Sequence, residues 1–187
     1  MAGGQEGPAE VLGTPMTRDD VIEFLQVLNG IGVHVWIDGG WAVDACLESE
    51  TRPHADLDIV IEERDVDIVV RMLQDLGFTK VARDDTRAWN FVPGDHRRRE
   101  IDFHVVVLDE QGNGIYGPDE IHQLYPADAL AGTGTIAGRE VDCISPAWLV
   151  RFKTGYEVDQ DDWADVSALH ARFGVPIPDD YAKFVDP

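Results

Sequence analysis

Asp56 and Asp58 stand one residue apart at the head of the apolar run 57–62. In an extended strand alternate side chains share a face, so both carboxylates project the same way. Two anions this close raise each other's pKa unless a cation lies between them. Magnesium suits that role, because it takes carboxylate oxygens together with substrate phosphates, and one or two protein carboxylates commonly suffice. The plainer reading is an exposed sheet edge with scattered acids, which so acidic a chain would show by chance.

A third acid, Asp102, interrupts the apolar run 100–108. If that run is a strand, Ile101, Phe103, Val105 and Val107 face one way, and Asp102, His104, Val106 and Leu108 the other. A lone acid in a central strand is costly to bury, so it needs a metal, a proton or a cationic partner such as Arg52 or Arg99. Should this strand lie beside 57–62, the three aspartates converge. His104 on the same face reads first as a hydrogen-bonded core histidine. Gly39 and Gly40 form a strand-to-helix turn that presents backbone N–H groups and a helix N-terminus to a phosphate. A tight turn without a ligand is the alternative.

The elements that must hold these residues are legible in outline. Thr17 is a capping residue with Asp20 three positions on, and Val21, Phe24, Leu25, Leu28 and Ile31 follow at helical spacing. A strand over 33–38 meets the glycine pair, and one or two helical turns follow. Residues 57–62 form the next strand, 65–76 a helix ended by Gly77. Strands are expected over 78–82, 88–92 and 100–108. Residues 109–133 are polar with weak periodicity and read as loop with one helical turn. A hairpin turns at Ala137 and Gly138, Ser145 caps a helix with Pro146 at its first position, and a last helix from about Asp162 carries Trp163, Val166, Leu169 and Phe173 inward. Trp89, Trp148, Trp163 and Tyr156 read as packing. The later strands are too closely spaced for helical crossovers, so the class is α/β (α+β) with a mixed sheet. The division expected is a disordered lead-in over 1–16, a core over 17–145 and a small C-terminal helical part over 146–187.

Composition bounds the partners. The 187 residues carry 15 Lys+Arg against 36 Asp+Glu, a formal net charge of -21. Such an excess repels polyphosphate backbones and argues against nucleic acid as a partner. Cys46 and Cys143 lack metal-ligand spacing and read as reduced thiols in or near the core. No apolar run is long enough for a bilayer, and the first residues lack a signal peptide's basic start and apolar stretch, so no membrane partner and a cytoplasmic location are expected. Arg97, Arg98 and Arg99, the basic run of this acidic chain, read as a solvated hairpin edge or a nucleotide contact.

The text from Trp36 to Asp44 (W-x-D-G-G-W-A-V-D), from Arg52 to Asp58 (R-x-H-x-D-x-D), Asp102 to His104 (D-F-H), Cys143 to Ser145 and Gly155 to Tyr156 resembles the nucleotidyltransferase superfamily that includes polymerase β. More narrowly it is similar to the lincosamide nucleotidyltransferases and, less closely, to the aminoglycoside 2''-adenylyltransferases, over roughly residues 17–175. The resemblance implies a polymerase-β-like core that moves a nucleoside monophosphate, AMP from ATP, onto a hydroxyl of a small molecule. It implies Asp56 and Asp58 as holders of Mg2+ and Asp102 as a third ligand or general base. Gly39 and Gly40 would contact phosphates, and Arg52, His54 and Lys153 would flank the nucleotide. Arg52 and His54 would neutralise phosphate charge or orient Asp56 by hydrogen bonds; Lys153 would reach the leaving pyrophosphate or sit as a solvated helix lysine. Trp41 stands where many relatives have Ser. Lincosamides come first as acceptor, aminoglycosides second, and a homodimer stays open. Two other readings are an antitoxin-type enzyme that modifies a partner protein and a non-catalytic nucleotide-binding module.

Overall fold

The computed structural model describes residues 15–118 and 123–185. Most of the expected lead-in lies outside these residues, but Met16 does not. It is 5% exposed, and its N–H donates to the His54 carbonyl at 2.9 Å.

Helix α1 (Arg18–Gly30) begins as its sequence requires. The Thr17 hydroxyl accepts from the Asp20 N–H at 3.2 Å, and the Asp20 carboxylate accepts from the Thr17 N–H at 3.1 Å, which satisfies two N-terminal donors at once. Val21, Phe24 and Leu28 are buried. Ile31, expected on that face, is 37% exposed because the helix has already ended at Gly30. The chain then runs through β1 (Val35–Ile37), α2 (Gly39–Leu47), β2 (Asp56–Glu62), α3 (Glu63–Asp75), β3 (Thr79–Val81), β4 (Asn90–Gly94) and β5 (Glu100–Leu108). Gly39 and Gly40 are thus the first two helical residues of α2 rather than a loop before it.

The segment expected to be loop holds two short strands and the start of a third: β6 (Gly114–Tyr116), β7 (Gln123–Tyr125) and β8 (Gly132–Ile136). Three residues are too few for a period of two to register, which is why the pattern there is weak. Strand β9 (Arg139–Cys143) pairs with β8 in the hairpin expected at Ala137 and Gly138. Helices α4 (Pro146–Phe152), α5 (Gln160–Phe173) and α6 (Ala182–Val185) follow, with a 3-10 turn at Asp179–Tyr181. Ser145 precedes α4 without a side-chain cap hydrogen bond; its carbonyl accepts the Leu149 N–H at 3.0 Å instead. Helix α5 starts earlier than expected because Asp159, not a residue near Asp162, is its cap. Phe173 is 42% exposed, standing at the end of α5 where Gly174 turns the chain away.

Among the described residues the strands form one mixed sheet in the order β3-β4-β5-β2-β1-β9-β8, with β6 on β5 and β7 on β6. Strands β2 and β5 are parallel, as are β1 and β9, while β1 and β2 are antiparallel. The β2–β5 register sets Asp58 opposite Asp102 and Asp56 opposite Glu100. Leu57, Ile59, Ile61, Ile101 and Phe103 are buried. Val107, expected to face the core with them, is 49% exposed. It lies beyond the Glu62–Val106 pair that ends β2, and there β5 pairs with β6 alone. No described helix is long and apolar enough to cross a membrane.

Candidate active site

The parallel pairing makes the carboxylates of Asp58 and Asp102 neighbours. One ligand atom from each, with one from His104, lies within 4.8 Å of the others. Asp102 Oδ1 is buried and has no hydrogen-bond partner. Its nearest cation is His104 Nε2 at 3.9 Å. Neither Arg52 nor Arg99 reaches it: Arg52 binds Asp165, and Arg99 binds Asp95 and Asp20. Burial drives the Asp58 pKa up to about 7, with the charges of Asp56, Asp38 and Asp102 adding and His104 opposing. Burial likewise raises Asp56, aided by Glu100, and raises Asp102 against the pull of His104. Three carboxyls that resist ionising in one place are an arrangement that favours an added cation.

His104 is built into the site rather than only into the core. Its Nδ1 lies 2.6 Å from the Tyr125 hydroxyl, which donates to Asp38 Oδ2 at 3.0 Å. Burial would lower its pKa, but the hydrogen bond and charge of Asp38 outweigh that and raise it to about 9. Asp38 is the N-cap of α2, 6% exposed, and accepts the Gly39 N–H at 2.8 Å. Burial pushes its carboxyl up, yet His104 and these hydrogen bonds hold it below the usual range. Sequence reasoning missed both Asp38 and Tyr125. The first had a signal, an acid immediately before a helix, where caps are acidic or hydroxylated; the second sat in the unpatterned stretch and had none.

The glycine pair is demanded by close packing. Gly39 has φ +58, and a Cβ there would stand 2.0 Å from Asp58 Oδ2; a Cβ at Gly40 would stand 2.3 Å from His54 Nδ1. His54 is held from behind, its Nε2 2.6 Å from Asp44 Oδ2, with both side chains 3% exposed. Asp44 also accepts from the Thr51 N–H and hydroxyl. His54 therefore hydrogen-bonds Asp44, and not Asp56, the carboxylate it was expected to orient if it did not serve the phosphates. Trp41 is buried against the His54 ring, 4.8 Å between centroids.

Arg52 Nη2 lies 3.1 Å from Asp165 Oδ2, and Lys153 Nζ lies 3.0 Å from the same atom and 3.2 Å from Asp162 Oδ1. Lys153 follows α4 as its C-cap and is 15% exposed, so it is an ion-paired lysine rather than a solvated one. Burial would lower both cations, and the aspartates more than restore them. Arg99 ties the β4–β5 turn to α1 through Asp20, and so is neither solvated nor at the cleft.

Gly39, Gly40, Arg52, His54, Asp56, Asp58 and Lys153 line one cleft of about 520 Å³, and Asp102 adjoins it beside Asp58 and His104. Tyr116, Leu124, Tyr125, Phe152 and Tyr156 line the cleft as well. Tyr156 is 50% exposed, a cleft residue rather than packing. Trp148 and Trp163 do pack, against Phe152 and Phe184. All eight residues singled out for substrate or metal thus gather around one end of the sheet.

A family model described as aminoglycoside-2''-adenylyltransferase matches residues 20–169, including every one of those positions. The chain belongs to that family. It is 24% identical over 158 residues to a lincosamide resistance protein of Staphylococcus haemolyticus, covering 82% of this chain and 94% of that protein. It superposes with a TM-score of 0.75 on a lincosamide antibiotic adenylyltransferase, LnuA, solved with lincomycin bound, at 22% identity over 84% of this chain and 99% of that one. ANT(2'')-Ia in complex with adenylyl-2''-tobramycin matches with a TM-score of 0.63 at 19% identity, over 82% of this chain and 87% of that one. Membership of the aminoglycoside-2''-adenylyltransferase family makes the chain an antibiotic-type nucleotidyltransferase, and the superpositions bear out the expected nucleotidyltransferase fold.

Proposed function

We propose that this enzyme transfers AMP from ATP to a hydroxyl of a lincosamide or aminoglycoside antibiotic and releases pyrophosphate. The observation that carries the reading is the buried, unpartnered Asp102 Oδ1 in register with Asp58. An orphaned carboxylate oxygen beside a second carboxyl that resists ionising fits a hard divalent cation, and Mg2+ is the one that also takes phosphate oxygens. Asp58 and Asp102 would hold it, with Asp56 adding charge from the same face of β2. When bound it offsets negative charge on the phosphates and the leaving oxygen.

The chain's own groups do the rest. Asp102, through the carboxylate oxygen not given to the cation, takes the proton of the attacking hydroxyl. Arg52 and Lys153 bring positive charge to the phosphates. The Gly39 N–H is committed to Asp38, so a backbone contact to phosphate falls to Gly40 at the N-terminus of α2. His54 packs against Gly40 and fixes that turn. The aromatic side of the cleft, Tyr116, Tyr125 and Phe152, suits an amphiphilic acceptor such as a lincosamide.

The test is pyrophosphate release from ATP and magnesium against lincomycin, clindamycin, several aminoglycosides and no acceptor. Drug-dependent release with a mass gain of one AMP supports the reading. Asp102→Asn should lower turnover by a factor on the order of 100 or more while leaving thermal unfolding unchanged. Wild-type activity in that variant would remove Asp102 from the chemistry.

A further inference from the structure

Arg52 and Lys153 come from distant parts of the chain, the segment before β2 and the end of α4, yet one carboxylate holds both. Asp165 lies within α5, 1% exposed, and with Val166 and Leu169 makes up the buried residues of that helix. Its Oδ2 is 3.1 Å from Arg52 Nη2 and 3.0 Å from Lys153 Nζ, and its Oδ1 is 3.4 Å from Arg52 Nε. The other acids nearby are less confined: Asp161 is 70% exposed and lies 3.8 Å from Arg52 Nη1, and Asp162 is 13% exposed and meets Lys153 but not Arg52, its Oδ1 also accepting from the Tyr156 hydroxyl at 3.0 Å. Two cations brought together in a half-buried place repel, and a carboxylate shielded from water between them both offsets that repulsion and fixes their separation.

Both cations line the cleft with Gly40 and Asp56. The guanidinium lies against the first turn of α2, since a Cβ on Gly40 would approach Arg52 Nη2 to 3.1 Å. Lys153 engages two acceptors, and an ammonium has three donors. We infer that Asp165 is a positioning residue of the reaction: it holds Arg52 and Lys153 where the triphosphate of the nucleotide lies, so that α5 shapes nucleotide affinity without touching substrate. This rests on the nucleotidyltransferase reading above. A residue that served only the fold would alter stability and leave nucleotide and acceptor affinities equally untouched.

The experiment compares wild type, Asp165→Asn and Asp165→Glu by calorimetric titration with magnesium and ATP, by the KM for ATP and for the acceptor, and by thermal unfolding. Asp165→Asn keeps the shape and removes the charge. It should raise the Kd and KM for ATP roughly tenfold or more, the loss expected when a charge-assisted contact is misplaced, with the acceptor KM unchanged. Asp165→Glu should recover part of that affinity. In an Arg52→Gln background Asp165→Asn should cost less than in wild type, since one of the groups it positions is gone. If Asp165→Asn does not fold, Arg52→Gln and Lys153→Gln carry the test, and ATP affinity unchanged in both overturns the inference. Wild type that binds ATP with Asp165→Asn binding it equally well overturns this inference alone. Wild type that binds no nucleoside triphosphate overturns the nucleotidyltransferase reading and this one together.

Discussion

Replacing Gly39 with alanine puts a methyl group where the site has no room for one. The backbone at this position has φ +58, and the added Cβ would stand 2.0 Å from Asp58 Oδ2 and 3.2 Å from Asp58 Cβ. The left-handed conformation alone costs an alanine about 1–2 kcal/mol. The clash adds to it. Asp58 is short, and its Cβ is fixed by the β2 ladder, so relief means moving the carboxylate out of its place between Gly39 and Asp102 at an overpacking cost of about 1–3 kcal/mol. A loss of about 3 kcal/mol in a chain of this length lowers Tm by roughly 6–12 °C. The larger effect falls on function, because the displaced group is the one set against the orphaned oxygen of Asp102. Gly39→Ala should therefore lose magnesium-dependent ATP binding at temperatures well below its own Tm. A thermodynamic cycle separates the two contributions: Asp58→Ala should recover the crowding part of the loss in the Gly39→Ala background and leave the backbone strain. Gly39→Ala with unchanged Tm and unchanged ATP affinity would refute the close approach of α2 and β2. A cycle without coupling would refute Asp58 as its partner.

Two further outcomes follow from single contacts. Arg99 holds Asp20 and Asp95; burial pushes both carboxyls up, but hydrogen bonds from Thr17 and Arg99 to Asp20, and from Arg99 and Arg97 to Asp95, hold them below the usual value of 3.8. A depressed folded pKa gives stability that is present above the unfolded value and lost as pH falls through the folded one. Arg99→Gln should thus lower stability by a constant amount across pH 7 to 8 and move the acid-unfolding midpoint to higher pH, and an unmoved midpoint in an acid titration followed by circular dichroism would count against the pairing. Tyr125→Phe removes the hydroxyl set between His104 Nδ1 and Asp38 Oδ2; leaving a buried carboxylate short of a donor should cost about 1–3 kcal/mol in denaturant unfolding, and a neutral result would mean that His104 Nδ1, already 3.4 Å from Asp38 Oδ2, replaces that donor.

How much of the fold and site is legible in the sequence depends on whether a residue breaks a local rule. Asp56, Asp58 and Asp102 stand out because acids do not belong in apolar strands, and the period of two is enough to place Asp56 and Asp58 on one face. The glycine pair stands out because a doublet between a strand and a helix has no propensity to recommend it. Parallel pairing of β2 with β5 is a condition that no local pattern can supply, for it depends on which strands the connecting helix brings together. The supporting residues break no rule. Asp165 is one acid among several in a helix that already carries Asp161 and Asp162, and its partner Arg52 lies 113 positions away. Asp44 looks like any polar residue of a short helix, and Tyr125 belongs to a strand too short to show a period. A sequence announces the groups that chemistry forces into unfavourable surroundings, whereas the groups that make those surroundings tolerable satisfy every local expectation and become visible only through their long-range partners.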